Sequence, residues 1–267
     1  MSDWTNMDQW YAVLPPSRPT NVELQRVSTR LSSIEKSQPI AVLGSTPEFR
    51  ELLFRMGFSN RFVFDRSSTF YERMGKLIPN SVAIGEKLII GDWLDSLPHW
   101  KNCFSMVLSD LTMGNISYSR RDAFYSSISN SLVDGGVFVD KVLAFDFEIP
   151  TLDELFEKYE NLPLNLRTIN DFSSEVLFCS ELVMRKKLVD STEFYKLIRE
   201  GPYSEKIKYF ADAAHIITPE GFTWDYGIPW SELSPDYSKY YSSQVVYCEE
   251  DPASPYFHRT KQIFSRK

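Results

Sequence analysis

Cysteine and histidine are scarce in this 267-residue chain, with three of each. Cys103, Cys179 and Cys248 stand far apart without a C-x-x-C, and His99, His215 and His258 show no ligand spacing. That excludes a zinc ribbon, a dithiol redox motif and a disulfide framework. Buried or half-buried thiols of a reducing compartment are expected instead, and no metal. No run of about 18 apolar residues occurs, so no membrane-spanning helix is expected. The opening MSDWTNMDQWY lacks the basic-then-apolar layout of a secretory signal, and the expected location is cytoplasmic. Positive charge is also short, with 29 Lys and Arg against 36 Asp and Glu and a net charge of −7. With no basic stripe and no N-P-P-Y-like motif, a nucleic acid partner is not expected. A complete G-x-G-x-x-G and a P-loop lysine are missing too, and there is no internal repeat or low-complexity tract.

What is present is a globular composition, 43% hydrophobic and 24% charged, with aromatics at 15%. The chain is long enough to bury a core without covalent staples. Residues 1–36 read as a helical lid, two short helices parted by Pro15-Pro16. Trp4, Met7, Trp10 and Tyr11 mark the first. Val22, Leu24, Val27, Leu31 and Ile34 mark the second. The connecting PPSRPT is stiff and carries one charge, Arg18. From 37 to 150 strands and helices alternate: PIAVLG, RFVFD, EKLIIGDW, FSMVLSD and VFVDKVLAF read as strands, with helices between them. The helix SRRDAFYSSISNSLVDGG is expected to close in a turn at Asp134-Gly135-Gly136. Such alternation predicts an α/β fold with a parallel sheet covered on both faces. Residues 151–240 read as helices without strand-like runs, an insertion. Residues 241–267 return to a β-hairpin, SQVVYCEE and RTKQIFSRK around the loop DPASPYF.

In open α/β sheets ligands bind beyond the carboxyl ends of the strands. The first strand is followed by Gly44-Ser45-Thr46-Pro47-Glu48, the second ends in Asp65, the third is followed by Gly91-Asp92-Trp93, and the fourth ends in Asp110. Three carboxylates and a glycine turn on one rim are too negative for a pyrophosphate. They suit ribose hydroxyls, an exocyclic amine and a positive centre.

This order and spacing resembles the class I S-adenosylmethionine-dependent methyltransferases, over residues 39–145 well and 241–266 weakly. LGSTPEFRELLFRMGF, with PPSRPT upstream and GDWLDSLP downstream, is similar to a bacterial subgroup having L-G-x-T-P-E as its first motif. The resemblance implies a Rossmann-like, doubly wound, mostly parallel seven-stranded sheet with an antiparallel last strand. It implies S-adenosyl-L-methionine as cofactor. Its methionine part would lie at Gly44, Ser45 and Thr46, its ribose at Asp65, its adenine at Gly91 and Asp92, and its methyl near Asp110. Thr46 is a candidate N-cap and Pro47 a first helical residue, leaving backbone N–H groups for a carboxylate. Glu48 is expected to face the cofactor amine or a basic neighbour.

Each of these residues also has an ordinary reading. Asp65 and Asp92 are candidate helix caps or turn acids, and Trp93 is a candidate for packing as much as for adenine contact. Arg66 would pair with an acid or lie along the adenine. Arg18 is a surface residue or a clamp on the cofactor carboxylate. Trp10, Tyr11 and Tyr71 are packing residues or a lid whose rings favour a sulfonium. Asp110 ends a buried run, so its charge needs a partner. Asn115 and Tyr118 are candidates to orient an acceptor, and His215 is the candidate histidine base. Phe172, Phe178, Tyr195, Tyr209, Phe210, His215, Trp224, Tyr226 and Trp230 of the insertion are expected to be mostly core, some of them walling a substrate pocket. The expected activity is methyl transfer to an O or N atom of a small molecule by a monomer or homodimer without a membrane partner. The alternatives are a non-methylating use of the cofactor, by cyclisation or aminocarboxypropyl chemistry, and a catalytically degenerate binding protein.

Overall fold

Short apolar runs build the sheet. β1 (Ile40–Leu43) is buried at every residue, as is β2 (Arg61–Asp65). β3 (Glu86–Ile90) is more open, while β4 (Phe104–Asp110) is largely buried. β5 (Leu132–Leu143) is the longest. β6 (Val189–Asp190) and β7 (Thr223–Trp224) are short, and β8 (Ser243–Cys248) and β9 (Thr260–Arg266) follow late in the chain. The computed structural model describes residues 10, 12–144, 146, 148–186, 188–225, 229–249 and 259–267. Trp4, Met7, Tyr11, Tyr226, His258 and the loop DPASPYF lie outside the described residues.

Seven strands form one sheet in the order β3-β2-β1-β4-β5-β9-β8. β1 pairs parallel with β2 and β4, β2 with β3, and β4 with β5. β9 runs the other way. Gly136 O accepts from Lys267 N–H, and Arg259 O accepts from Ala144 N–H, each at 3.0 Å. One residue number rises as its partner falls, the signature of antiparallel pairing. The order reverses between β1 and β4, the switch point at which ligands of such sheets bind.

The chain divides into two compact units, one built on Pro19–Val142, Leu233–Tyr247 and Lys261–Lys267, the other around Leu143–Glu232 with the segment up to Arg18. In the sheet unit, alternate residues of a strand point to opposite faces. Ile40, Val42, Met106, Leu108 and Val139 share a core with Val27 and Leu31 of the helix Asn21–Leu31, and with Phe49 and Leu53 of the helix Pro47–Arg55. That helix Asn21–Leu31 starts in a capping box, Thr20 with Glu23, and is thus a core element of this unit. Another group of rings, Phe62, Phe64, Trp100 and Phe104, meets edge to face or tilted at 4.9–6.1 Å.

The turn expected at Asp134-Gly135-Gly136 is instead an irregularity inside β5. The helix ends at Ser131, β5 begins at Leu132, and its register against β4 shifts between Phe104 and Met106. Gly135 takes φ +75° there, which glycine tolerates without a side-chain clash.

The helical unit holds Leu152–Glu160, Leu166–Cys179, Glu181–Lys186, Ser191–Glu200 and Glu205–Ala214. Side chains of Thr151, Asn165, Asp190 and Ser204 cap four of these. Phe156, Tyr159, Phe172, Phe194 and Phe210 pack its interior. Tyr209 of the expected core set is exposed. The unit is not purely helical, because β6 and β7 pair antiparallel. A segment before Arg18 is tied to the helix Leu166–Cys179: Asn170 accepts from Leu14 N–H and donates to Ala12 O, and Arg167 donates to Pro15 O. Of the cysteines, Cys179 is buried and Cys103 half-buried, but Cys248 is exposed. It sits on β8, a strand at the edge of the sheet, most of whose residues are exposed.

Candidate cofactor site

The carboxyl ends of β1, β2, β3 and β4 carry the residues singled out by the sequence. Gly44 ends β1 in the left-handed region, φ +81°, and its N–H donates to Phe64 O at 2.8 Å. A Cβ built on Gly44 meets nothing within 4 Å. Open space therefore lies where any other residue would project. Ser45 and Thr46 are buried. Pro47 is the first helical residue, as expected, and Thr46 stands at the cap position without a side-chain cap bond.

The Ser45 hydroxyl donates to Asp65 Oδ2 at 2.5 Å, while Asp65 Oδ1 accepts from Ser67 N–H at 2.9 Å. Ser67, not Asp65, caps the following helix, Ser68–Gly75. Burial raises the Asp65 pKa, and the bonds from Ser45 and Ser67 oppose that rise. Arg66 beside it is exposed.

At the end of β3, Gly91 takes φ +150°, and a Cβ there would lie 3.0 Å from Ser96 Oγ. Asp92 caps the short helix Trp93–Ser96, its Oδ1 accepting from Leu94 N–H at 3.0 Å; its Oδ2 lies 3.4 Å from Arg120. Trp93 points inward: it is 7% exposed, donates to Phe64 O at 3.0 Å and packs on Phe124.

Asp110 closes β4 opposite Lys141 of β5. Lys141 Nζ lies 3.5 Å from Asp110 and 2.9 Å from Glu23, and all three side chains are buried. Burial drives the Asp110 pKa up to about 7 against the pull of Lys141, and Glu23 and Glu48 add to the rise. Burial lowers the Lys141 pKa, but Asp110 and Glu23 outweigh it and the net shift is upward. Leu111 follows at φ +54°, a strained conformation for a residue with a side chain and one that clusters at ligand sites. Thr112 donates to Leu43 O at 3.4 Å, joining β4's end to β1's.

The structure thus brings Gly44, Ser45, Thr46 and Asp65 together, and Asp110 with Glu48. Asn115 and Tyr118 are exposed beyond β4, with Arg121 lying over the Tyr118 ring at 4.9 Å. Tyr71, a candidate lid residue, is instead bound into the sheet unit: its hydroxyl donates to Glu86 and its ring lies under Arg50. Arg18 and His215 belong to the helical unit. His215 Nε2 lies 3.0 Å from Arg199 Nη2. Arginine only donates, so that lone pair is engaged. Burial, then Arg199, lower the His215 pKa.

Glu23 and Lys141 were not among the sequence-derived candidates. Two signals mark them. Thr20-Asn21-Val22-Glu23 is a capping-box pattern, and Asp140-Lys141 breaks an otherwise apolar strand, where charge demands a partner. A separate cleft of about 420 Å³ opens at the amino ends of β4 and β5, lined by Arg30, Gln38, Ser105, Asp134, Gly135 and Arg266 among others. It is away from these strand ends. Among the described residues, no group of three or more His, Cys, Asp or Glu is placed to hold a metal ion, and no helix is long and apolar enough to cross a membrane.

No family model matches the chain, and no curated protein matches it by sequence. Solved structures do. A Rhodobacter sphaeroides protein provisionally described as a zinc-dependent alcohol dehydrogenase aligns over 98% of this chain and 97% of its own, at 16% identity and TM-score 0.53. The citrinin polyketide synthase CMeT domain aligns over 97% of this chain and 55% of its own, at 10% identity and TM-score 0.53. The CurJ carbon methyltransferase aligns over 92% and 53%, at 7% identity and TM-score 0.51. The chain spans nearly all of the first and about half of the other two. The fold is that of the class I S-adenosylmethionine-dependent methyltransferases, as the sheet order and the likenesses to the CMeT domain and to CurJ show. A fold leaves the activity to be argued from the site.

Proposed function

We propose that this protein binds S-adenosyl-L-methionine at the carboxyl ends of β1–β4 and transfers its methyl group to an O or N atom of a small molecule. The observation that carries this reading is the Asp65 carboxylate. It is buried at the end of β2, and a hydroxyl, that of Ser45, already donates to it. A carboxylate so placed is suited to ribose hydroxyls. The residues fit the cofactor in two further ways. The open space at Gly44 admits a ligand close to the backbone, and Asp110 supplies negative charge beneath the same turn.

In this reading Gly44, Ser45 and Thr46 hold the methionine part, with Glu48 and Asp110 facing its cationic groups. Asp65 holds the ribose, with Arg66 at the rim. Gly91 and Asp92 lie at the adenine. Trp93 supports their loop by packing. When bound, the cofactor supplies an electrophilic methyl group on a sulfonium. The chain's own task is to bind, orient and desolvate, which suffices where the acceptor is already nucleophilic. Asn115 and Tyr118 are proposed to orient the acceptor. The parts of Arg18, as a clamp, and His215, as a base, rest on the sequence reading.

Calorimetric titration with S-adenosylmethionine and S-adenosylhomocysteine tests this. Saturable binding of both is expected. In Asp65→Ala, affinity is expected to fall by about 1.5–3 kcal/mol, the range for hydrogen bonds to a charged group. Unchanged affinity in the folded variant removes Asp65 from the site. No binding of either compound by folded wild-type protein overturns the reading and favours a catalytically degenerate fold.

A further inference from the structure

The pair behind Asp110 has no counterpart in the reading above. Lys141 lies on β5 and Glu23 on the helix Asn21–Leu31, 118 residues apart in sequence, with a 2.9 Å bond between them. Their place follows from the strand alternation. Val139 and Leu108 are paired and sit in the core shared with that helix, so Lys141 and Asp110, two residues on, share its face. Glu23 Oε2 also accepts from Thr20 N–H at 2.8 Å, and Glu23 O accepts from Gln262 at 3.2 Å. The carboxylate is therefore fixed from its own helix start, and the ammonium is fixed by the carboxylate. A lysine ammonium is a compact charge on a flexible stem. Held this way it stands at one point, 3.5 Å from Asp110.

We propose that Lys141, anchored by Glu23, is a positioning residue of the cofactor site that favours the ionised form of the Asp110 carboxylate and fixes it at the end of β4. The proposal rests on the reading that Asp110 faces the cationic methionine part of the cofactor. Lys141 acts through Asp110 and from behind it. The charged groups facing Asp110 come from three elements: Lys141 from β5, Glu23 from the helix Asn21–Leu31, and Glu48 from the helix Pro47–Arg55. Lys141 favours the ionised form, and the two glutamates oppose it. Removing the lysine and removing Glu23's charge must therefore act in opposite directions.

The test is S-adenosylhomocysteine affinity as a function of pH from 5.5 to 8.5, in wild type, Lys141→Met, Glu23→Gln and Asp110→Asn, with thermal unfolding run on each. Binding by wild type is expected to tighten as Asp110 ionises. Lys141→Met is expected to weaken binding at least tenfold at pH 7 and to move the midpoint of the pH profile upward. Glu23→Gln keeps the capping box and, in its amide oxygen, an acceptor that holds Lys141 in place, so only the charge is lost and the midpoint is expected to move downward. Asp110→Asn is expected to flatten the profile. The Glu23→Gln arm decides the matter if Lys141→Met fails to fold. Midpoints that stay in place or move together in both variants overturn the positioning role while leaving the cofactor reading intact. A folded wild type that binds neither S-adenosylhomocysteine nor S-adenosylmethionine overturns both.

Discussion

Replacing Arg50 by methionine is expected to lower the unfolding free energy by about 3–5 kcal/mol, the range for breaking a buried ion pair from one side. The Arg50 side chain is 0% exposed and that of Glu86 1%. The guanidinium reaches Glu86 through Nε and Nη2, the latter at 2.8 Å, and donates from Nη1 to Tyr71 O. It also lies 4.1 Å from the centre of the Tyr71 ring, whose hydroxyl donates to Glu86 at 2.7 Å. Burial, reinforced by that bond to Glu86, pushes the Tyr71 pKa up to about 12. The cluster ties the helix Pro47–Arg55 to the start of β3 and to the helix Ser68–Gly75. Methionine would leave the buried Glu86 carboxylate with the Tyr71 hydroxyl as a donor and with the coulombic pull of Arg61, its neighbour on β2, but without its hydrogen-bonded ion-pair partner. The cost is that orphaned charge rather than the intrinsic worth of the pair. The double variant Arg50→Met Glu86→Leu is therefore expected to recover most of the loss, since apolar replacement of both partners is often neutral. Urea unfolding of the single and double variants measures both. A single-variant loss below about 1 kcal/mol, the scale of an exposed pair, would mean that water reaches Glu86.

Such pairs show what a sequence can and cannot carry. β1, β2 and β4 were legible because a strand covered on both faces is largely apolar, and IAVL and FVF announce themselves. The strand-end acids were legible by position alone, since Asp65 and Asp110 each terminate a buried run. Gly44 was legible as a turn residue. The partners were not legible: Arg50 meets Glu86 from 36 positions away and Glu23 meets Lys141 from 118, and no local pattern encodes either meeting. β6 and β7 have two residues each, too few for a period of two to register. Asp134-Gly135-Gly136 misled because the same residues that end a helix also permit an irregular strand. Tyr71 and Trp93 were open between packing and a lid or adenine contact, and packing holds for each: its polar tip is satisfied by the core, through Glu86 and Phe64 O respectively.

The second face of β5 carries the last expected result. Asp140 points away from Lys141, is fully buried, and accepts from Tyr237 at 2.7 Å; Tyr125 in turn donates to Tyr237 at 3.3 Å. Burial raises the Asp140 pKa to about 7, with Tyr237 and Ser109 opposing. A carboxyl raised in the folded state binds a proton that the unfolded chain has already lost. Its protonated form stabilises the fold fully below the ordinary value near 3.8, and that stabilisation is lost as pH rises through about 7. At about 1.4 kcal/mol per pH unit, the decline between pH 5 and pH 7 is on the order of 3 kcal/mol. Asp110, also raised to about 7, adds a decline in the same window, and His215, lowered by burial, opposes it below its ordinary value. The difference between wild type and Asp140→Asn cancels both. Asparagine keeps an acceptor for Tyr237 but has no charge to bury. Asp140→Asn is therefore expected to lose less stability than wild type from pH 5 to pH 7 and to be the more stable protein at pH 8. Urea unfolding at each pH reads this directly. Equal slopes would show that Asp140 carries its charge throughout, with the tyrosine pair and Ser109 compensating its burial in full.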